Sequence, residues 1–360
     1  MRDPLIAVLG GYGAVGATAV RRLAALGHRR LRVGGRSRDR AAALCAEVPG
    51  AQPFPVDAED PRALREFCVG SQLVVNCAGP SYRLLDTVAR AARAVGAHYV
   101  DAAGDLPAHR ALLAHENPDV GGHTALFSAG VTPGLTGLLP RLIAGPGDRL
   151  DAYVGGAVRI TPASAIDILL AQGPDFGEPM ASWRHGQVAP RTLAPRRRVQ
   201  PTGFPEPVDA MPYLTAESAR LAAHLGLAEL RAHAAYPSDA IPTALALAWA
   251  DDPRHLPEHA AALTAAASAD LRDRTSYYVL AFQARTARGV VRSLTLRIGD
   301  PYHVSGLTAA LAAHAVLADR SPPGAHFAAD VLDPWQVMEA LRGDPLVHSL
   351  DLTSSTAGIP

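Results

Sequence analysis

The sequence predicts an α/β protein in which a doubly wound parallel sheet is followed by a second, α+β domain with a mixed or antiparallel sheet. Three observations carry that expectation. The chain opens on a strand, a glycine turn and a helix start; short apolar runs then alternate with helical patterns to about residue 135; and from about residue 148 hairpin-like strand pairs replace the alternation. At 360 residues the chain is long enough for two full cores.

Leu5-Ile6-Ala7-Val8-Leu9 reads as the first strand and Gly10-Gly11-Tyr12-Gly13-Ala14-Val15-Gly16 as the turn after it. Gly11 permits a tight turn, Gly13 lets backbone approach a pyrophosphate, and Gly16 lets helix and strand pack closely, with helix N–H groups meeting the anion. In this strand-to-helix setting Gly11, Tyr12, Gly13, Ala14, Val15 and Gly16 are expected to hold a dinucleotide in the Rossmann manner. The following helix, about Ala14 to Leu26, stops at Gly27.

The second strand starts at Leu31 and ends in Gly34-Gly35-Arg36-Ser37-Arg38. An acidic residue here would take the ribose 2′-hydroxyl of NAD. Two guanidiniums and a hydroxyl suit a 2′-phosphate instead, because the planar fork donates two hydrogen bonds to phosphate oxygens. Arg36, Ser37 and Arg38 therefore favour NADP.

The alternation continues through a strand at Gln52 to Asp57, a helix at Pro61 to Cys68, and a strand at Gln72 to Asn76 that runs into Cys77-Ala78-Gly79-Pro80. A helix from Leu84 to Val95, a strand from His98 to Asp101, a helix near Ala108 to His115 and a strand from Thr124 to Ser128 complete the first domain. Ligands of such sheets lie beyond the carboxyl ends of the strands. Asp57, Cys77, Ala78, Gly79 and Pro80 therefore join the cofactor-binding set, with the nicotinamide beside the last four. Asp101 ends a buried strand, where desolvation raises a carboxyl pKa, and is the first candidate proton donor; Tyr82 is the second. His98 stands at the far end of its strand. Tyr99, Asp105, His185 and the Tyr302-His303 pair are lesser candidates, and Arg83, Arg159 and Arg184 are candidate partners for a substrate carboxylate.

The expected organisation is a nucleotide-binding domain over residues 1–135, with 304–345 packing back on it, and a substrate domain over 136–303. In the latter, Asp151 to Ile160 reads as a strand, Tyr277 to Arg285 and Gly289 to Ile298 as a hairpin, and Ala216 to Leu225 and Pro257 to Leu271 as helices. Arg196-Arg197-Arg198 reads as a solvated loop. Ser305 to Leu317 is an alanine-rich helix, and Asp333 followed by Pro334 is a helix start.

Composition narrows the function. Net charge is zero and no basic excess points to nucleic acid; no apolar run approaches the roughly 18 residues of a membrane span. Met1 lies just before the first strand, so a cytoplasmic location is expected. The 3 cysteines, Cys45, Cys68 and Cys77, have no metal-ligand spacing, and no metal is expected. All 34 basic residues are arginine, which removes Schiff-base chemistry, Walker-type ATPases and a lysine general acid.

The glycine turn from Leu9 to Gly16, the strand end Gly34-Gly35-Arg36-Ser37, the run Val74 to Pro80, and His98-Tyr99-Val100-Asp101 with Gly104 together resemble the saccharopine dehydrogenase-like NAD(P)-dependent reductases. The Ala129-Gly130 turn and the pattern from Gly324 to Leu341 are similar too, more loosely. The resemblance implies hydride transfer at a carbon bonded to nitrogen, although some members reduce C=C bonds. The chain reads as shorter than typical saccharopine dehydrogenases, which leaves secondary metabolism open. The expected function is reduction of an imine or carbonyl of a small molecule by NADPH. The alternatives are an enoyl reductase of lipid or polyketide type and a non-catalytic NADP-sensing protein. A homodimer is the one assembly retained as an expectation.

Overall fold

In the computed structural model, which describes residues 3–115, 122–173, 175–318 and 320–356, contacts divide the chain into two units. The first holds residues 1–138 and 302–337, the second 139–301 and 338–360.

In the first unit the strands are Leu5–Leu9 (β1), Arg30–Gly35 (β2), Ala51–Pro55 (β3), Leu73–Asn76 (β4), His98–Asp101 (β5) and Thr124–Phe127 (β6). They form a parallel 7-stranded sheet in the order Gly324–Phe327, β6, β5, β4, β1, β2, β3. Residues of β1, β4 and β6 are buried almost without interruption, as a sheet covered by helices on both faces demands. The seventh strand follows Ser321-Pro322-Pro323, where the sequence reads as a loop. Its backbone pairs with β6 through Phe327 and Phe127, a tertiary partnership that four residues cannot announce.

Gly16–Ala25 (α1) follows β1, Arg38–Glu47 (α2) follows β2, and Pro61–Cys68 (α3) follows β3. Asp60 starts α3 by accepting from Arg62 N at 2.9 Å and Ala63 N at 3.2 Å, ahead of Pro61 at the first turn. From β3 at the sheet edge the chain returns to β4 beside β1, so the order of strands reverses between β1 and β4. Helix Pro301–Leu317 is buried along most of its length and packs on α1. A Cβ on Gly306 would run into Val15 O and lie 2.8 Å from Thr18 Cβ, so only glycine permits this approach. His303 Nδ1 meets Thr18 Oγ1 at 3.2 Å, and His28 Nε2, just beyond α1, meets His314 Nδ1 at 3.1 Å.

The second unit is built on a 10-stranded mixed sheet. Glu229–Tyr236 runs parallel to Arg149–Ala157, which pairs antiparallel with Tyr277–Arg285; Val290–Ile298 and Val347–Thr356 complete that side. Helices Pro162–Leu170, Ala240–Trp249 and Leu256–Asp270 pack together through Leu169, Ile241, Leu245 and Leu263. The arginine triplet read as a solvated loop lies in strand Arg196–Val199, where Arg197 pairs with Asp209 and Arg198 N donates to Asp209 Oδ1 at 2.9 Å. Strand pairing and a carboxylate partner override the polar composition. Among the described residues, no helix is long and apolar enough to cross a membrane.

Two outcomes follow from the packing of Pro301–Leu317. Gly306→Ala overfills the contact with α1 and should cost about 1–3 kcal/mol, read as a lower urea midpoint. Burial, reinforced by the facing His314, holds His28 below its ordinary 6.5. The unfolded chain therefore binds the proton more readily, and the His28 contribution to stability is whole above pH 6.5 and declines as pH falls below it. In His28→Gln the urea midpoint should fall less steeply between neutral pH and pH ~5 than in the parent.

Candidate nucleotide-binding site

The turn between β1 and α1 is closed by Gly11 N donating to Gly34 O at 3.0 Å and Gly13 N to Gly10 O at 2.8 Å. Gly16 carries no side chain because a Cβ would overlap Gly10 O and stand 2.7 Å from Gly11 Cα. Gly10 has φ +68°, and a Cβ there would lie 2.8 Å from Ala78 N, so the turn presses directly on the loop after β4. Helix α1 begins at Val15, whose side chain cannot cap it, and the N–H groups of Ala14 and Val15 have no acceptor among the described residues. Such a helix start suits a phosphate, which supplies the missing acceptors and the negative charge.

Tyr12 links this turn to the end of β2. Its hydroxyl accepts from Ser37 N at 2.7 Å, and its ring lies so close to Gly35 that a Cβ there would be 2.5 Å from it. The Arg40 guanidinium sits over the same ring, 4.7 Å from its centroid. Ser37 caps α2 by accepting from Arg40 N at 3.3 Å. Arg36 and Arg38 are exposed and engage no carboxylate among the described residues. Arg40 escaped the sequence reading because it looks like an ordinary helix-start charge; only the fold stacks it on Tyr12. Asp57, exposed after β3, spends one oxygen on Glu59 N at 3.1 Å.

The ends of β4, β5 and β6 meet at Asp101, which is 1% exposed. Its Oδ2 accepts from Tyr99 Oη at 2.5 Å and Asn76 Nδ2 at 3.2 Å, and its Oδ1 from Ala103 N at 2.9 Å. Asn76 Oδ1 in turn accepts from Ala78 N at 3.1 Å, and Cys77 N donates to Leu9 O at 2.9 Å. The loop Cys77 to Pro80 is thereby held against the glycine turn. Burial and the adjacent carboxylate push the Tyr99 hydroxyl well above its ordinary range and the Cys77 thiol upward as well, so neither ionises at neutral pH. Tyr82, half-buried, follows Pro80 in the short helix Ser81–Leu84.

The other candidates scatter. His98, at the start of β5, accepts from Thr124 N at 3.0 Å, and His185 lies in the turn between two short strands. Arg184 pairs with Glu229 at 2.6 Å and Arg159 with Asp300 at 3.8 Å, while Arg83 is exposed. The second unit has its own open cleft of about 650 Å³ on one face of its sheet. Arg231 and His233 share that face with Asp151 and Tyr153, their cross-strand neighbours. Arg231 forks onto Asp151 at 2.7 and 2.9 Å, Arg196 reaches Tyr153 Oη at 2.7 Å, and His233 stacks on Tyr153 with centroids 4.7 Å apart. Burial holds His233 below its ordinary pKa of 6.5, which keeps it uncharged at neutral pH.

Tyr99→Phe would strip one donor from the buried Asp101 carboxylate, and should lower unfolding free energy by about 1–3 kcal/mol in urea titration.

Residues 6–132 match the family model of the saccharopine dehydrogenase NADP-binding domain. Among solved structures, apo saccharopine dehydrogenase (L-Glu forming) from Saccharomyces cerevisiae aligns with a TM-score of 0.66 at 16% identity, over 98% of this chain and 100% of that one. UDP-N-acetylglucosamine 3-dehydrogenase from Acidithiobacillus ferrooxidans aligns more weakly, with a TM-score of 0.45 at 12% identity over 95% and 97% of the two chains. No curated protein sequence matches. Full coverage of the yeast enzyme removes the length difference expected from sequence. Residues 6–132 thus carry a saccharopine dehydrogenase NADP-binding domain, and the chain shares the fold of saccharopine dehydrogenase.

Proposed function

We propose that the chain is an NADPH-dependent reductase that delivers hydride to the carbon of a C=N or C=O bond in a small molecule. The observation that carries this reading is the basic end of β2, Arg36-Ser37-Arg38, set beside a glycine turn whose Tyr12 lies with its ring under Arg40 and accepts from Ser37 N with its hydroxyl oxygen. The turn from Gly11 to Gly16 takes the pyrophosphate, with Ala14 and Val15 N–H as donors. Arg36, Ser37 and Arg38, joined by Arg40, take the 2′-phosphate. Asp57 borders the adenosine, and Cys77, Ala78, Gly79 and Pro80 border the nicotinamide. Bound NADPH supplies the hydride.

Asp101 is a positioning residue in this scheme. Both of its oxygens are committed to protein donors, and through Asn76 it fixes the loop that carries Ala78. Tyr82 supplies the proton that the nitrogen or oxygen of the reduced bond takes up, so that hydride on carbon and proton on the heteroatom balance the reduction. The saccharopine dehydrogenase type of the nucleotide-binding domain supports carbon–nitrogen chemistry over enoyl reduction. A substrate carboxylate would need an arginine, since lysine is absent.

Arg36→Ala should weaken NADPH by roughly tenfold to a hundredfold, the worth of one charge-assisted hydrogen bond, and leave NADH nearly unchanged in fluorescence titration. An equal loss for both cofactors would contradict the 2′-phosphate assignment. Tyr82→Phe should lower kcat by about a hundredfold or more at unchanged NADPH affinity, measured on amine-plus-carbonyl mixtures.

A further inference from the structure

We propose that Asp251, His255 and His259 in the second unit form a binding site for a divalent transition cation, with Zn²⁺ the best match. The three residues lie on the connection from helix Ala240–Trp249 into helix Leu256–Asp270. Asp252 accepts from Arg254 N at 2.9 Å and so tightens the turn Pro253–His255 that carries the chain back over Asp251. His255 and His259, four residues apart across the helix start, then fall on one face. One oxygen, Asp251 Oδ2, meets His255 Nδ1 at 3.0 Å and His259 Nε2 at 2.9 Å. The three ligand atoms lie within 4.8 Å of one another.

Zinc bonds of about 2.0–2.2 Å in a tetrahedron place neighbouring donor atoms roughly 3.3 Å apart, so the two oxygen–nitrogen distances open by a few tenths of an ångström while the two imidazole nitrogens, which lie within 4.8 Å of each other, settle to the same spacing. Two imidazoles and one carboxylate are a borderline donor set, suited to Zn²⁺ and unlike the all-oxygen shells of Ca²⁺ or Mg²⁺. Charge favours a cation as well. Asp252 and Glu258 add negative potential at His255, and the guanidinium of neighbouring Arg254 is forked onto Asp252 at 2.7 and 3.0 Å. The His259 side chain is 19% exposed while those of His255 and Asp251 are 57% and 46% exposed, which gives the ion one sheltered wall and an outer position open to water. Bound there, the cation clips the end of one helix to the start of the next and stabilises this unit by linkage.

The test is calorimetric titration of the chelator-stripped full chain with ZnCl₂, alongside thermal melting with and without the metal. One equivalent should bind with a micromolar Kd and raise Tm. His255→Ala and His259→Ala should each weaken binding by about tenfold or more, since loss of even an outer-shell partner costs roughly 10–100-fold. Asp251→Asn keeps an oxygen that accepts from both imidazoles and should lose binding without unfolding, whereas His185→Ala, in an exposed turn, should bind like the parent. Absence of saturable binding, or binding and Tm shifts that survive all three site substitutions, would overturn the proposal.

Discussion

The nucleotide-binding half of the molecule depends on the buried carboxylate of Asp101. Removed from water, it accepts hydrogen bonds from Tyr99, Asn76 and Ala103, and in doing so ties the ends of two adjacent strands, β4 and β5, into one unit. Asn76 passes the constraint on by accepting from Ala78 N, so the loop after β4 sits where Gly10 has no side chain to oppose it. The close approach of glycine turn and β4 loop, and with it the face proposed for a nicotinamide, follows from this network. Both of the carboxylate's oxygens are given to protein donors, and its part in the proposed chemistry is to position.

The first unit was largely legible in the sequence because each of its decisions is local. Apolar runs too short for helices and free of alternation specify strands buried on both faces, and the glycines at 13 and 16 are demanded by contacts within the turn itself. Asp60-Pro61 and Asp333-Pro334 announce helix starts by their own capping chemistry, and Asp333 does accept from Trp335 N at 2.8 Å. The hairpin Tyr277–Arg285 with Val290–Ile298 was equally plain, from two long apolar strands about a short turn.

What stayed hidden depends on partners distant in the chain. Gly324–Phe327 becomes a strand only through β6, and Arg196–Val199 only through Val208–Thr215. Arg40 is unremarkable until Tyr12 lies beneath it. Asp101, Tyr99 and Asn76 are each readable as residues of strand ends, but nothing in the spacing says that one carboxylate will serve both neighbours. The arginines named as substrate partners show the same limit from the other side: Arg159 and Arg184 are answered by Asp300 and Glu229, acids contributed by other segments.

The absence of lysine leaves anion recognition in this chain to arginine and to backbone N–H groups, and the site around Tyr12 combines the two. The role proposed for its basic strand end is tested most directly by fluorescence titration of the unmodified chain with NADPH and with NADH in the same buffer. NADPH should bind tighter by about tenfold or more, the contribution of charge-assisted hydrogen bonds to the 2′-phosphate. NADH binding as tightly as NADPH would contradict it.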